Sequence, residues 1–450
     1  MKHLLRGGAA LLALVVAAAG AEAQDAGHVP FESYQLDNGL RVILSVDHST
    51  PVAAVDVWYD VGSRDEQRGR SGFAHLFEHM MFQGSANVGK AEHLTMVESV
   101  GGSVNGSTSE DRTNYYQTVP ANRVNLALWL EADRMRSLAV TEENLENQTE
   151  TVKEERRLRV DNQPYGESFL RFTTMPYDSA TCFGYAHSVI GSMEDLNAAT
   201  VEDVRSFFDT YYAPNNATLT VVGDFDPERV REMIDRYFGG IERSDPPPEV
   251  SCEVDYDAGF QVDTIRDANA NLPAVFWSYR MPDHDGPDSR ALELLASLFG
   301  QGESSRLHRK LVKESGAALN VNGFVSSRRG PGLFAGFAIA NQGVGADSLL
   351  TLVQSEVDRL ETEPPTAEEL QKAKNDHEAS TVMGRQRVLS KAEALQHYAH
   401  FHASIDEINT DLEQYMAVTR DDLQRVIGTY LTRDNLSVVV TLPSAESDQE

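Results

Sequence analysis

One apolar run, Ser71-Gly-Phe-Ala-His-Leu-Phe-Glu-His-Met-Met-Phe-Gln83, carries three ionisable side chains, His75, Glu78 and His79. On a helix, residues three and four apart share a face, so these three project together. Two imidazoles one turn apart form a two-point clamp for Zn²⁺, which favours nitrogen and carboxylate ligands in a tetrahedral shell. A carboxylate on the same face can take the proton of a water held beside such an ion. The chemistry on offer is metal-assisted hydrolysis, with the residues in the inverted H-x-x-E-H order. Chance is the competing explanation, since the chain has 13 histidines. The apolar surroundings weigh against it, because three ionisable groups buried on one face carry a heavy desolvation cost unless they share a cation.

Such a centre needs a third protein ligand and an open fourth position. A polar helix opening at Thr141 offers Glu142, Glu143, Glu146, Glu150, Glu154 and Glu155. Most of these belong to a solvated face paired with Lys153, Arg156 and Arg157. Pattern alone does not choose among them.

The elements that must position these groups come as a duplication. Thr200 to Tyr211 and Thr419 to Tyr430 each read as an N-capped amphipathic helix, followed by a turn and a β-branched strand. Thr200/Thr419, Asp203/Asp422, Tyr211/Tyr430 and Asn216/Asn435 share one offset of 219. A second echo, Thr141–Leu145 against Thr366–Leu370, has an offset of 225. Alternating strands are readable at 40–46, 52–61, 114–119, 217–222, 274–279 and 333–340. The Ile241–Glu249 stretch holds three successive prolines and no hydrophobic period, so it reads as a linker. The expected fold is α+β, with two homologous domains, each a mainly antiparallel sheet packed with helices. Their bounds are 30–242 and 256–446, with a linker at 243–255.

Lys+Arg 39 against Asp+Glu 69 gives a net charge of -30, which repels phosphate backbones and argues against nucleic-acid binding. The two cysteines, Cys182 and Cys252, are too few for a disulfide scaffold or a cysteine-rich zinc module. Lys2 and Arg6, the apolar run Ala9–Ala19 and Ala21-Glu-Ala23 read as a signal peptide, residues 1–23. That 11-residue run is too short to cross about 30 Å of hydrocarbon as a helix. The expected location is periplasmic or secreted, with no membrane association after cleavage. In that setting Cys182 and Cys252 could pair or stay free.

The run Gly72–Gly84, followed by Thr151-Val-Lys-Glu-Glu155, resembles the insulinase or pitrilysin family of zinc peptidases. The branch it is most similar to includes mitochondrial processing peptidase and its bacterial relatives. Gly101–Tyr116, Gly184–Leu196 and Gly300–Leu307 extend the resemblance over nearly the whole chain after the leader. It implies one Zn²⁺ per chain held by His75, His79 and Glu155, with Glu78 as general base. A Val-x-x-Glu pattern, here Val152 to Glu155, singles out the third ligand. Gln148 stands where some members carry a further glutamate, and an amide there is assigned no catalytic role. The resemblance also implies half of a clamshell, with unfolded peptides pairing along Ser103–Ser107 through Val104, Asn105 and Gly106. On residue type alone, Asn105-Gly106 would be a turn.

Under the 225 offset Glu155 meets Ser380, and no H-x-x-E-H follows residue 255, so the chemistry belongs to one half. In place of the Arg and Tyr that family members supply from the non-catalytic domain, alignment puts Val312 and Leu319, neither a hydrogen-bond donor in its side chain. The expectation is a heterodimer with a homologous subunit that lacks the zinc motif and carries that pair; a homodimer is the other option. The expected function is a zinc metalloendopeptidase, against a non-enzymatic assembly or binding protein or a metal carrier. His187 is expected at the surface. The trio His397, His400 and His402 has no evident acid companion and is expected to hold no second metal.

Overall fold

A computed structural model describes residues 27–444; the leader segment lies outside the described residues. Among the described residues, eleven strands form two sheets. The first contains β1 (Glu32–Gln35), β2 (Arg41–Val46), β3 (Val52–Tyr59), β4 (Ser103–Thr108), β5 (Thr113–Pro120) and β6 (Ala217–Gly223), in the order β1-β2-β6-β3-β5-β4. The second contains β7 (Gln261–Asp267), β8 (Ala274–Met281), β9 (Ala318–Ser326), β10 (Gly332–Ala340) and β11 (Leu436–Pro443), in the order β7-β11-β8-β10-β9.

With β1 set aside, the two orders correspond strand for strand. Each sheet has one parallel pair, β2 with β6 and β7 with β11, and is otherwise antiparallel. The equivalent helices start alike. Thr200 and Thr419 cap Val201–Tyr211 and Arg420–Tyr430, and the side chains of Asp203 and Asp422 accept from the threonine backbone amides in return. The fold is therefore α+β, built twice.

Each sheet packs one face on helices of its own half, forming two separate cores. The opposite faces are covered by exchange. The Gly166–Thr174 helix of the first half lays Phe172 against Phe276, Leu333 and Val439 of the second sheet. The Val388–Phe401 helix of the second half returns Val388, Ala392 and Leu395 to Ile43, Ala54 and Val222 of the first. Gln396 on that helix donates to the carbonyls of Asp56 and Thr218, at 3.0 and 2.8 Å. These reciprocal helices bind the halves to one another.

Residues 242–255 carry no helix or strand, yet they are fastened. Cys182 and Cys252 are joined in a disulfide, and beside it Thr181 and Glu253 exchange hydrogen bonds at 3.1 and 3.3 Å. Strands β1, β7 and β9 were not foreseen. Each contains at least three exposed positions, and β7 alternates between half-buried and exposed along its length. No described helix is long and apolar enough to cross a membrane.

Candidate metal centre

The Phe73–Met80 helix starts where two constraints meet. Gly72 has φ 89°, in the left-handed region, and a Cβ there would lie 2.9 Å from Gly191 Cα. Just before it, buried Glu66 bends back and accepts the amides of Gly72 and Ala74 at 2.8 and 2.7 Å. A carboxylate so placed satisfies two of the helix's free N–H groups and complements its dipole. The inner face buries Ala74, Phe77 and Met80 in the first core, with Phe77 stacked on Phe208 and tilted against Tyr212. His75, Glu78 and His79 are left to face a cleft of about 810 Å³.

The Glu142–Arg156 helix crosses this face. Thr141 caps it by accepting from the Asn144 amide at 3.2 Å. Its last turn brings Glu155 Oε2 to 3.2 Å from His79 Nε2 and 3.6 Å from His75 Nε2. One atom of each residue lies within 4.8 Å of the others. Ligand atoms around tetrahedral zinc stand about 3.3 Å apart, so the donor set and spacing fit that ion. Glu154, one residue away, instead pairs outward with Arg157 at 2.9 Å. Glu150 pairs with Lys153 at 2.6 Å.

The electrostatics suit ligation. Burial, together with the charge of His79, pushes His75 down to about 4, so its imidazole is neutral. The hydrogen bond from His79 holds the Glu155 carboxyl below its ordinary value, although partial burial opposes it. Burial raises Glu78, against the hydrogen bond that Thr108 Oγ1 donates to its Oε2 at 2.6 Å. A raised carboxyl on this face is suited to accepting and returning a proton.

The β4 edge forms one wall. Asn105, Gly106, Ser107 and Thr108 line the cleft. A Cβ on Gly106 would stand 3.3 Å from Glu78 Cγ, so glycine keeps the strand close to the acid. Asn105-Gly106 lies within the strand and is not a turn. Val104 packs its side chain against the first core, which leaves only its backbone for an incoming peptide. Gln148 also lines the cleft and donates to Asn147 Oδ1 at 2.7 Å.

Four contributors were not legible beforehand. Thr108 holds Glu78. Arg159 Nη1 lies 2.9 Å from Glu155 Oε1. Glu66 caps the helix, and His187 sits 2.9 Å from Glu66 Oε2, half-buried in the cleft wall and not at the surface as expected. Thr108 and His187 stood inside the Gly101–Tyr116 and Gly184–Leu196 segments, and nothing in the sequence flagged Glu66 or Arg159.

The insulinase model (peptidase family M16) matches residues 41–174, and the peptidase M16 inactive domain matches residues 198–376. The chain is 30% identical over 437 residues to the zinc protease PqqE of Helicobacter pylori, covering 96% of this chain and 97% of that one. It is 26% identical over 340 residues to the probable mitochondrial-processing peptidase subunit beta of Arabidopsis thaliana, covering 72% of this chain and 62% of that one. A crystal structure of a Helicobacter pylori protease superposes with a TM-score of 0.88 at 29% identity, over 92% of this chain and all of that one. The periplasmic protease PqqL of Escherichia coli shares the fold, with a TM-score of 0.75 at 18% identity over 92% of this chain and 48% of the longer one. Sequence and architecture agree, and this chain belongs to the insulinase family of peptidases, M16.

Proposed function

We propose that the protein is a periplasmic or secreted zinc metalloendopeptidase that cuts extended, unfolded peptides. The observation that carries this is the convergence of His75, His79 and Glu155 on one point, with Glu78 one turn away and a free strand edge beside them. The two imidazoles and the Glu155 carboxylate would hold one Zn²⁺, which when bound polarises a water and a peptide carbonyl. Glu78 takes the proton of the attacking water and passes it to the departing amine. Thr108 fixes the carboxylate in that orientation, and Arg159 neutralises the outer oxygen of Glu155. The β4 backbone pairs with the substrate as an added strand, and Gly106 lets that strand lie near Glu78. The relatives named zinc proteases support the metal, and the leader-like N-terminus and the disulfide support an oxidising compartment.

The second half supports a composite site. Val312 and Leu319 stand where the family's donor pair is expected, and Leu319 is 61% exposed on the edge strand β9. A homologous subunit carrying those donors would complete the cleft. Glu78→Gln tests the enzyme reading: the variant retains zinc and loses peptide cleavage. A wild-type chain inactive both alone and with a homologous partner would favour the assembly role.

A further inference from the structure

Outside the cleft, three histidines of the second half meet. His284 lies in the loop after β8, and its backbone amide is held by the Arg328 carbonyl at 2.8 Å. His397 is on the Val388–Phe401 helix, and His402 follows its end. His284 Nε2 stands 2.9 Å from His402 Nε2 and 3.0 Å from His397 Nε2. The side chain of His402 is 3% exposed, and the three rings line a cavity of about 590 Å³.

His400 is not part of the group, and the trio expected to hold no metal is not the one the fold assembles. His400 turns toward the first half, with Nε2 3.2 Å from the Asp111 carbonyl and 3.6 Å from Asp60 Oδ1. Its place is taken by His284, more than 100 residues earlier and invisible to any local spacing rule.

Proton bookkeeping shows why three imidazoles in this arrangement call for a cation. His402 Nδ1 lies 3.2 Å from Glu407 Oε2 and 3.4 Å from Asp285 Oδ1, so its proton belongs on that side. Its Nε2 then presents a lone pair to His284. The single N–H that His284 can place at Nε2 serves one of its two close neighbours and leaves the other contact between unbridged nitrogens. His284 Nδ1 is buried without a hydrogen-bond partner, so nothing on the far side fixes its tautomer.

We propose that His284, His397 and His402 form a second transition-metal site, which binds one Zn²⁺-class ion through three Nε2 atoms. Their separations resemble the roughly 3.3 Å expected between nitrogens on tetrahedral zinc. His402 would donate Nδ1–H to Glu407 and Asp285, the carboxylate–histidine support common at such ions. The fourth position faces the cavity. Because the Val388–Phe401 helix covers the first sheet, the ion would fasten the loop after β8 to the helix that joins the halves. Its role is structural, separate from the His75–His79–Glu155 centre.

The test counts ions in the tag-free full chain after Zn²⁺ loading and dialysis into metal-free buffer. Wild type should retain two per chain. One should remain in His75→Ala/Glu155→Gln, one in His284→Gln, and none in the combination. On the His75→Ala/Glu155→Gln background, Co²⁺ should give the visible bands of a four-coordinate ion, abolished by His284→Gln and equally by His397→Gln. Circular dichroism checks folding, and either histidine variant suffices if the other misfolds. The proposal is overturned if His75→Ala/Glu155→Gln retains no ion, or if its ion survives both histidine substitutions. It is also overturned if Asp285→Asn/Glu407→Gln removes the ion while His284→Gln keeps it. Failure of the first centre alone would look different: wild type would hold one ion, lost with His284→Gln and kept by His75→Ala/Glu155→Gln.

Discussion

His187 Nε2 and Glu66 Oε2 stand 2.9 Å apart, and through that pair a distant loop supports the first turn of the metal helix. Burial pushes His187 down, but the hydrogen bond and charge of Glu66 outweigh it, leaving the imidazole above its ordinary value. Burial also raises Glu66, although His187 and the two backbone amides pull it back. Both groups therefore bind protons more tightly folded than unfolded, and the stability they contribute falls as pH rises. The decline should begin above the ordinary glutamate value and continue through the raised His187 value. Thermal melts against pH should show this slope, and His187→Gln should remove the part that runs through the raised His187 value, while Glu66 rises further without its partner. Glu66→Gln should cost about 2 kcal/mol, since Gly72 and Ala74 donate to different oxygens and an amide NH2 would replace one of them.

The Thr108 hydroxyl holds Glu78 from the neighbouring strand edge. Thr108→Val removes a hydrogen bond that lowers the Glu78 pKa, so the acid should rise further. Because Glu78 must be ionised to accept a proton, peptide cleavage should be lost first at the acid end. The acid limb of kcat/KM should move to higher pH, with bound zinc unchanged.

The Cys182–Cys252 bond closes a separation of 70 residues and ties the inter-half segment to the first half. Chain-entropy reasoning assigns such a loop about 4 kcal/mol. Cys182→Ala/Cys252→Ala should lower stability by that order in denaturant melts, and reductant should destabilise wild type without affecting the double variant.

Phe172 is the principal apolar anchor that the first half lends to the second sheet, fully buried against Phe276. Phe172→Ala should cost about 3–5 kcal/mol. Proteolysis should then begin around the Gly166–Thr174 helix, while the first core persists.

Much of this was readable in advance for a physical reason. His75, Glu78 and His79 are neighbours by helical geometry, so their meeting follows from spacing alone. The capped helices at Thr200 and Thr419 announce themselves through local hydrogen bonding. Glu155 is different: six glutamates share its helix, and apart from the family resemblance only the packing of that helix on the His75 face separates it from Glu154. Glu66, His187 and the His284 cluster depend entirely on long-range packing, which no periodicity records. Val104 illustrates the same limit within one strand, since alternation turned its side chain to the core while Asn105 faced the cleft.

The most direct measurement is anomalous scattering at the zinc edge from crystals grown with Zn²⁺. The account predicts a peak about 2.0–2.2 Å from His75 Nε2, His79 Nε2 and a Glu155 oxygen, with Glu78 outside the coordination shell. A cleft without a peak, or an ion ligated by Glu78 with Glu155 turned away, would contradict it.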